Sequence, residues 1–121
     1  IEEYAKTITI EGRVALDIAK TVIMPVAVRQ QNALLDSILK LRSLGVKSGM
    51  GPQKNALEKL GGLIEDLSEG VEKMEKCLSA KDIDGIRPTL DVVRSAVDAL
   101  EAEIDDAIWP LPKYGELLFI Y

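Results

Sequence analysis

Acidic side chains are the densest chemical groups of this 121-residue chain, and they crowd at Glu101, Glu103, Asp105 and Asp106. Carboxylates so closely spaced are raw material for a metal site or a general acid–base pair. A di-metal helical bundle would need them facing inward and combined with Glu-x-x-His pairs. The chain has no histidine, which removes His-containing metal sites, a phosphohistidine relay and a His general base. The inward positions of the same stretch are apolar, so it reads as a solvated acidic face. A lysine could still serve as a base, but Lys6, Lys20, Lys54, Lys59, Lys73, Lys76 and Lys81 lie among polar positions and read as surface. Cys77 is the single cysteine; it cannot close an internal disulfide, reads as a helix-borne thiol without a role, and fits a reducing cytoplasm. The loop Val46-Lys47-Ser48-Gly49-Met50-Gly51 lacks GxxxxGK[ST] and a preceding strand, so it reads as an interhelix connection, not a phosphate cradle. No catalytic, cofactor-binding or metal-binding residue is expected in this chain.

Composition narrows the class further. The length suits one domain with its own core. Apolar residues make up 47% and charged residues 29%, the balance of a globular chain. Formal net charge is −5 and pI is near 4.8, which argues against nucleic acid and against an anionic membrane surface. No apolar run approaches the about 20 residues of a membrane span, and no secretory signal is present. The chain begins at Ile1 without an initiator Met. It is expected to be a piece cut from something longer, with its carboxyl end close to natural.

The elements that would position these groups are helices. Ile1, Ala5, Ile8, Gly12, Ala15, Ala19, Val22 and Val26 recur at steps of four and three, the spacing of one helix face in left-handed packing. The stripe is small-residued, which admits a neighbouring backbone or a bulky group. Pro25 lacks an N–H and clashes with the Thr21 carbonyl, so a kink is expected there. Beyond it the face continues through Ala27, Leu34, Ile38 and Leu41. The cluster Arg29-Gln30-Gln31-Asn32 reads as a solvated face with one or two side chains reaching carbonyls freed by Pro25. Gly45 ends this segment. Pro52 opens the next helix, whose stripe is Leu57, Leu60, Ile64, Leu67, Val71, Met74 and Leu78. Gly61 and Gly62 would there allow close helix contact. Asp82 or Asp84 can cap the last helix, which has Pro88 in its first turn and the stripe Ile86, Leu90, Val93, Val97, Leu100, Ile104 and Ala107. The expected fold is all-α: an antiparallel three- to four-helix bundle with a kinked long first helix. Its helices run at about 2–24, 26–44, 53–78 and 86–107, and an extended tail follows at 108–121.

That tail concentrates the aromatic residues. The chain has five, and four of them are Trp109, Tyr114, Phe119 and Tyr121. Pro110 and Pro112 stop the incoming helix near Ile108. After them Leu111, Tyr114, Leu117, Leu118 and Phe119 would form an exposed apolar patch unless docked. Two readings stay open and compatible. The tail closes the open end of the bundle, with Trp109 as a plug against the Ala15/Ala19 side of the first helix, or it touches a partner subunit or domain. The expected docking or interface residues are Trp109, Pro110, Leu111, Pro112, Tyr114, Leu117, Leu118 and Phe119.

The run Trp109-Pro110-Leu111-Pro112-Lys113-Tyr114, followed by Glu116-Leu117-Leu118-Phe119, resembles the carboxyl-terminal end of type III glutamine synthetases. Ile10-Glu11, Asp17-Ile18-Ala19, Ile23, Pro25, Gln31-Asn32 and Leu34-Leu35 are similar to the first helix of that family's carboxyl-terminal domain. Pro88 to Glu101, with Leu90, Arg94, Asp98 and Leu100, resembles its last helix. The resemblance implies a parent enzyme that joins ammonia to glutamate, using ATP and a divalent metal (Mg or Mn), in a ring-shaped homo-oligomer in the cytoplasm. It implies as partners the upstream catalytic domain and neighbouring subunits. The family's metal, nucleotide and glutamate residues lie upstream, so none is carried onto this chain. The expected role is a non-catalytic structural and interaction domain. The alternative is a free-standing helical adaptor or self-associating bundle without enzymatic activity.

Overall fold

A computed structural model describes residues 2–109. All regular structure among them is helical, in the order α1 (Glu2–Ile18), a π-helical turn (Ala19–Ile23), α2 (Met24–Ser43), α3 (Met50–Ala80) and α4 (Ile83–Glu103). The chain passes from α1 through the π turn into α2 without a loop, so three helical bodies pack together. The long first body runs up, α3 runs down against it, and α4 returns up along α3 and α1. The principal packed pairs are α3 with α4, α2 with α3, and α1 with both α4 and α3.

The helix ends follow from local chemistry. At the end of α2, Gly45 sits at φ 73°, and Val46 N–H donates to the Leu41 carbonyl at 2.9 Å, closing a Schellman motif as expected for a C′ glycine. The α3 terminus repeats this geometry without a glycine: Lys81 takes φ 55° while Asp82 N–H donates to the Cys77 carbonyl at 2.9 Å. Asp82 then caps α4, its Oδ1 accepting from Gly85 N–H at 3.1 Å. This cap starts α4 ahead of the position read from the sequence, which places Pro88 inside the helix and not in its first turn. The Gly85 carbonyl next to this site accepts instead from the Thr89 hydroxyl at 2.8 Å.

The irregularity expected at Pro25 lies in the π turn Ala19–Ile23, which ends two residues before it. Met24 N–H reaches back to the Ala19 carbonyl, and the Thr21 hydroxyl donates to the Asp17 carbonyl at 2.7 Å. A wider turn lets the chain meet a proline that can neither donate nor tolerate the carbonyl below it. It also corrects the stripe. One extra residue is taken up in the turn, so Ile23, not Val22, enters the core fully, and Val22 is half-buried.

The core has two connected parts. Toward the start of the chain, Ile8 packs with Met74, Ile86 and Leu90. The larger part joins Ala19, Ile23, Val26 and Ala27 to residues such as Leu60, Leu67, Leu100 and Trp109. Gly12 and Gly70 mark the closest helix approaches. A Cβ at Gly12 would lie 3.1 Å from both Ile86 Cγ2 and Met74 Sδ, and one at Gly70 would lie 3.1 Å from Val93 Cγ2. Gly61 and Gly62, read from the sequence as contact glycines, have open space where a Cβ would stand. They lie on the side of α3 turned away from its neighbours.

Candidate interface at the end of the fourth helix

The structure gathers the most varied chemistry where α4 stops. The stripe predicts a helix to 107, but Ile104 turns extended, at φ −101° and ψ 140°. Asp105 supplies the reason. Its Oδ1 accepts from Ala107 N–H at 2.9 Å, a local Asx turn that competes with the helix for the backbone. Its carbonyl accepts from Ile108 N–H at 3.0 Å and from Trp109 N–H at 3.1 Å. Ala107, expected in the stripe, is consequently exposed. The tight turn folds Trp109 back onto the bundle, where only 9% of it meets solvent.

Trp109 shares its cluster with Ala19, Ile23, Val26, Ala27 and Leu60. Of the two alanines expected opposite it, Ala19 belongs to this cluster, whereas Ala15 borders the other one. The indole Nε1 is buried and has no hydrogen-bond partner. The other residues expected in the docking tail, Pro110, Leu111, Pro112, Tyr114, Leu117, Leu118 and Phe119, lie outside the described residues.

The polar groups at this end tie the helices together. Gln30 Oε1 accepts a long hydrogen bond from Asp105 N–H at 3.5 Å, so one member of the Arg29–Asn32 cluster meets the end of α4 and not a carbonyl freed by Pro25. Lys59 Nζ lies 2.7 Å from Glu103 Oε1, joining α3 to α4, and the Glu103 side chain is 25% exposed. Glu103 is therefore an interhelix partner where the sequence reading has a solvated face. It could have been suspected because a half-covered flank of α4 must pass close to the long side chains of α3. Among the described residues no group of three or more His, Cys, Asp or Glu side chains is placed to hold a metal ion.

The remaining chemistry-bearing residues stand apart. The half-buried Cys77 thiol lies 3.8 Å from the Thr89 hydroxyl, and Thr89 is itself buried at 7% exposure, a core polar residue that the apolar stripe did not pick out. Lys20 pairs with Glu75 across α1 and α3 at 3.2 Å. Open grooves lie among the described residues. One lies between α3 and α4 among Leu63, Asp66, Glu69, Asp91 and Val92. Another surrounds the 44–49 loop among Arg42, Val46, Lys47, Met50 and Lys54.

Fold and site together define a helical packing module, with its inward positions given to apolar contacts and its polar groups used for capping and bridging. Comparison with known proteins places it more narrowly. Residues 1–42 match the model of the glutamine synthetase C-terminal domain. Nearly the whole chain, 98%, aligns at 34% identity with a glutamine synthetase of Bacteroides fragilis. The same share aligns at 24% identity with a type-3 glutamine synthetase of Dictyostelium discoideum. The chain is thus similar over nearly its whole length to glutamine synthetases, a type-3 enzyme among them. It spans 18% of the length of each of these relatives. No solved structure matches it. Among the described residues no helix is long and apolar enough to cross a membrane.

Proposed function

We propose that these residues form the non-catalytic carboxyl-terminal helical domain of a type III glutamine synthetase. The parent enzyme makes glutamine from glutamate, ammonia and ATP in the cytoplasm, as part of nitrogen metabolism. The observation that carries the reading is the alignment of nearly the whole chain with only a fifth or so of each relative, 18% in both cases. Support also comes from the residues themselves. The acidic stretch does not make a metal set, because Glu103 is held by Lys59 and Asp105 turns on its own backbone. The reading assigns ATP and the divalent metal, Mg or Mn, to the upstream catalytic domain. The module's task is contact: with that catalytic domain, and with neighbouring subunits of a ring-shaped homo-oligomer.

Incubating the 121-residue chain with ATP, glutamate, ammonia and Mg or Mn tests the non-catalytic part. No glutamine and no phosphate release above background are expected. Turnover that stays with the chain through purification would overturn the assignment of chemistry to the upstream domain.

A further inference from the structure

Two surfaces of the bundle are apolar at the centre and opposite in charge around it. The first is the tip of an arm. α4 ends beside Gln30, as the Asp105–Gln30 hydrogen bond shows, whereas α2 runs on to Ser43 and α3 begins only at Met50. The loop at 44–49 therefore stands at the far end of a two-helix arm. Every residue from Arg42 to Gly49 is exposed, and Leu44 and Val46 keep 79% and 39% of their surface in solvent. Arg42, Lys47 and Lys54 surround them. Residues 37–57 are the longest stretch of the chain without an acidic side chain. The second surface is the groove between α3 and α4. Its apolar lining includes Leu63, Val92, Ala96 and Ala99, its charged lining is Asp66, Glu69 and Asp91, and no lysine or arginine lines it. None of these six charged side chains takes part in an ion pair among the described residues.

We propose that the arm tip of one copy of this chain seats in the α3–α4 groove of a second copy. Leu44 and Val46 lie against the apolar lining, while Arg42, Lys47 and Lys54 face Asp66, Glu69 and Asp91. Charge complementarity selects this occupant. With a net charge of −5, most of the molecule is repelled by an acidic groove, and the tip is the part that is not. The two surfaces do not meet within one molecule, because α3 is one continuous helix that rises roughly 20 Å from Met50 to Leu63. Tip and groove are different surfaces, so the contact is heterologous: each copy gives its tip to one neighbour and its groove to the next, and such contacts build rings or open chains. This names residues for the subunit contact proposed above, but it rests on the surfaces of this chain and not on the enzyme assigned to the parent.

Sedimentation of the 121-residue chain at about 1 mM, where a small contact assembles, tests it. Self-association is expected at low salt and should weaken about tenfold or more as salt rises from about 0.05 to 0.5 M. The tip variant R42E/K47E/K54E and the groove variant D66K/E69K/D91K alter exposed side chains only. Each is expected to keep its helix content and to sediment as a monomer. Mixing the two restores association, because the acidic tip of one then meets the basic groove of the other. An unmutated chain that stays monomeric would overturn the proposal, and the family likeness, which rests on alignment, would stand. Variants that still self-associate, or a mixture of folded variants that stays monomeric, would overturn it as well. Carbodiimide cross-linking of the unmutated chain with an isotope-labelled copy reads the contact without substitution. Links between copies from Lys47 or Lys54 to Asp66, Glu69 or Asp91 are expected, and links confined to other pairs would contradict it.

Discussion

At the residue scale, two kinds of glycine behave oppositely, and only their neighbours distinguish them. Gly12 stands where Ile86 and Met74 converge, so Gly12→Leu must push helices apart, at a cost of about 1–3 kcal/mol. Gly62 meets nothing, so Gly62→Ala removes a helix penalty and is expected to gain up to about 1 kcal/mol. Urea unfolding of the two variants reads both signs. The sequence marked all these positions as glycine in helical register but carried no signal of what stands opposite, and its guess of Gly61 and Gly62 as the contact pair was the wrong one. Gly70, facing Val93, makes the contact in α3. Trp109 was legible for a simpler reason: an isolated Trp before two prolines is a poor solvent residue and a good plug. Its truncation, Trp109→Ala, is expected to cost about 3–5 kcal/mol as a large buried aromatic, seen as a lower unfolding midpoint.

At the element scale, the sequence told helices from everything else because the three–four spacing is sustained over α3 and α4 and along most of the first body. Helix ends were read less well. The misses at the two ends of α4 trace to side chains that compete for backbone hydrogen bonds. Asp82 starts α4 early, and Asp105 stops it early. The π turn before Pro25 was invisible to a stripe that assumes a constant period, and it exchanged Ile23 for Val22 in the core. The left-handed residue at the end of α3 is another local decision. Lys81 takes a conformation that costs a side-chain-bearing residue about 1 kcal/mol or more. Lys81→Gly is therefore expected to raise stability by about 1 kcal/mol, measurable as a higher thermal midpoint with no change in helix content.

At the scale of the whole molecule, the bundle is asymmetric. Its lower part is closed on three sides around Met74, Ile86 and Leu90, its middle is closed around Leu67 and Trp109, and its upper arm has two helices and an uncovered face. The all-helical bundle was legible from periodicity alone. The uncovered arm was not, because it arises from the difference in length between α2 and α4, and that difference depends on where Asp105 breaks the last helix. The bundle is thus closed where its own helices meet and leaves Val28, Leu35 and Leu39 exposed along α2.

The central claim is that this module belongs to a much longer ligase. An antibody raised against these residues, used on an extract of the source cells, measures the native polypeptide directly. A band several times larger than the 13.2 kDa of this chain is the predicted result. A band near that mass would contradict the account and leave a free-standing helical bundle in its place.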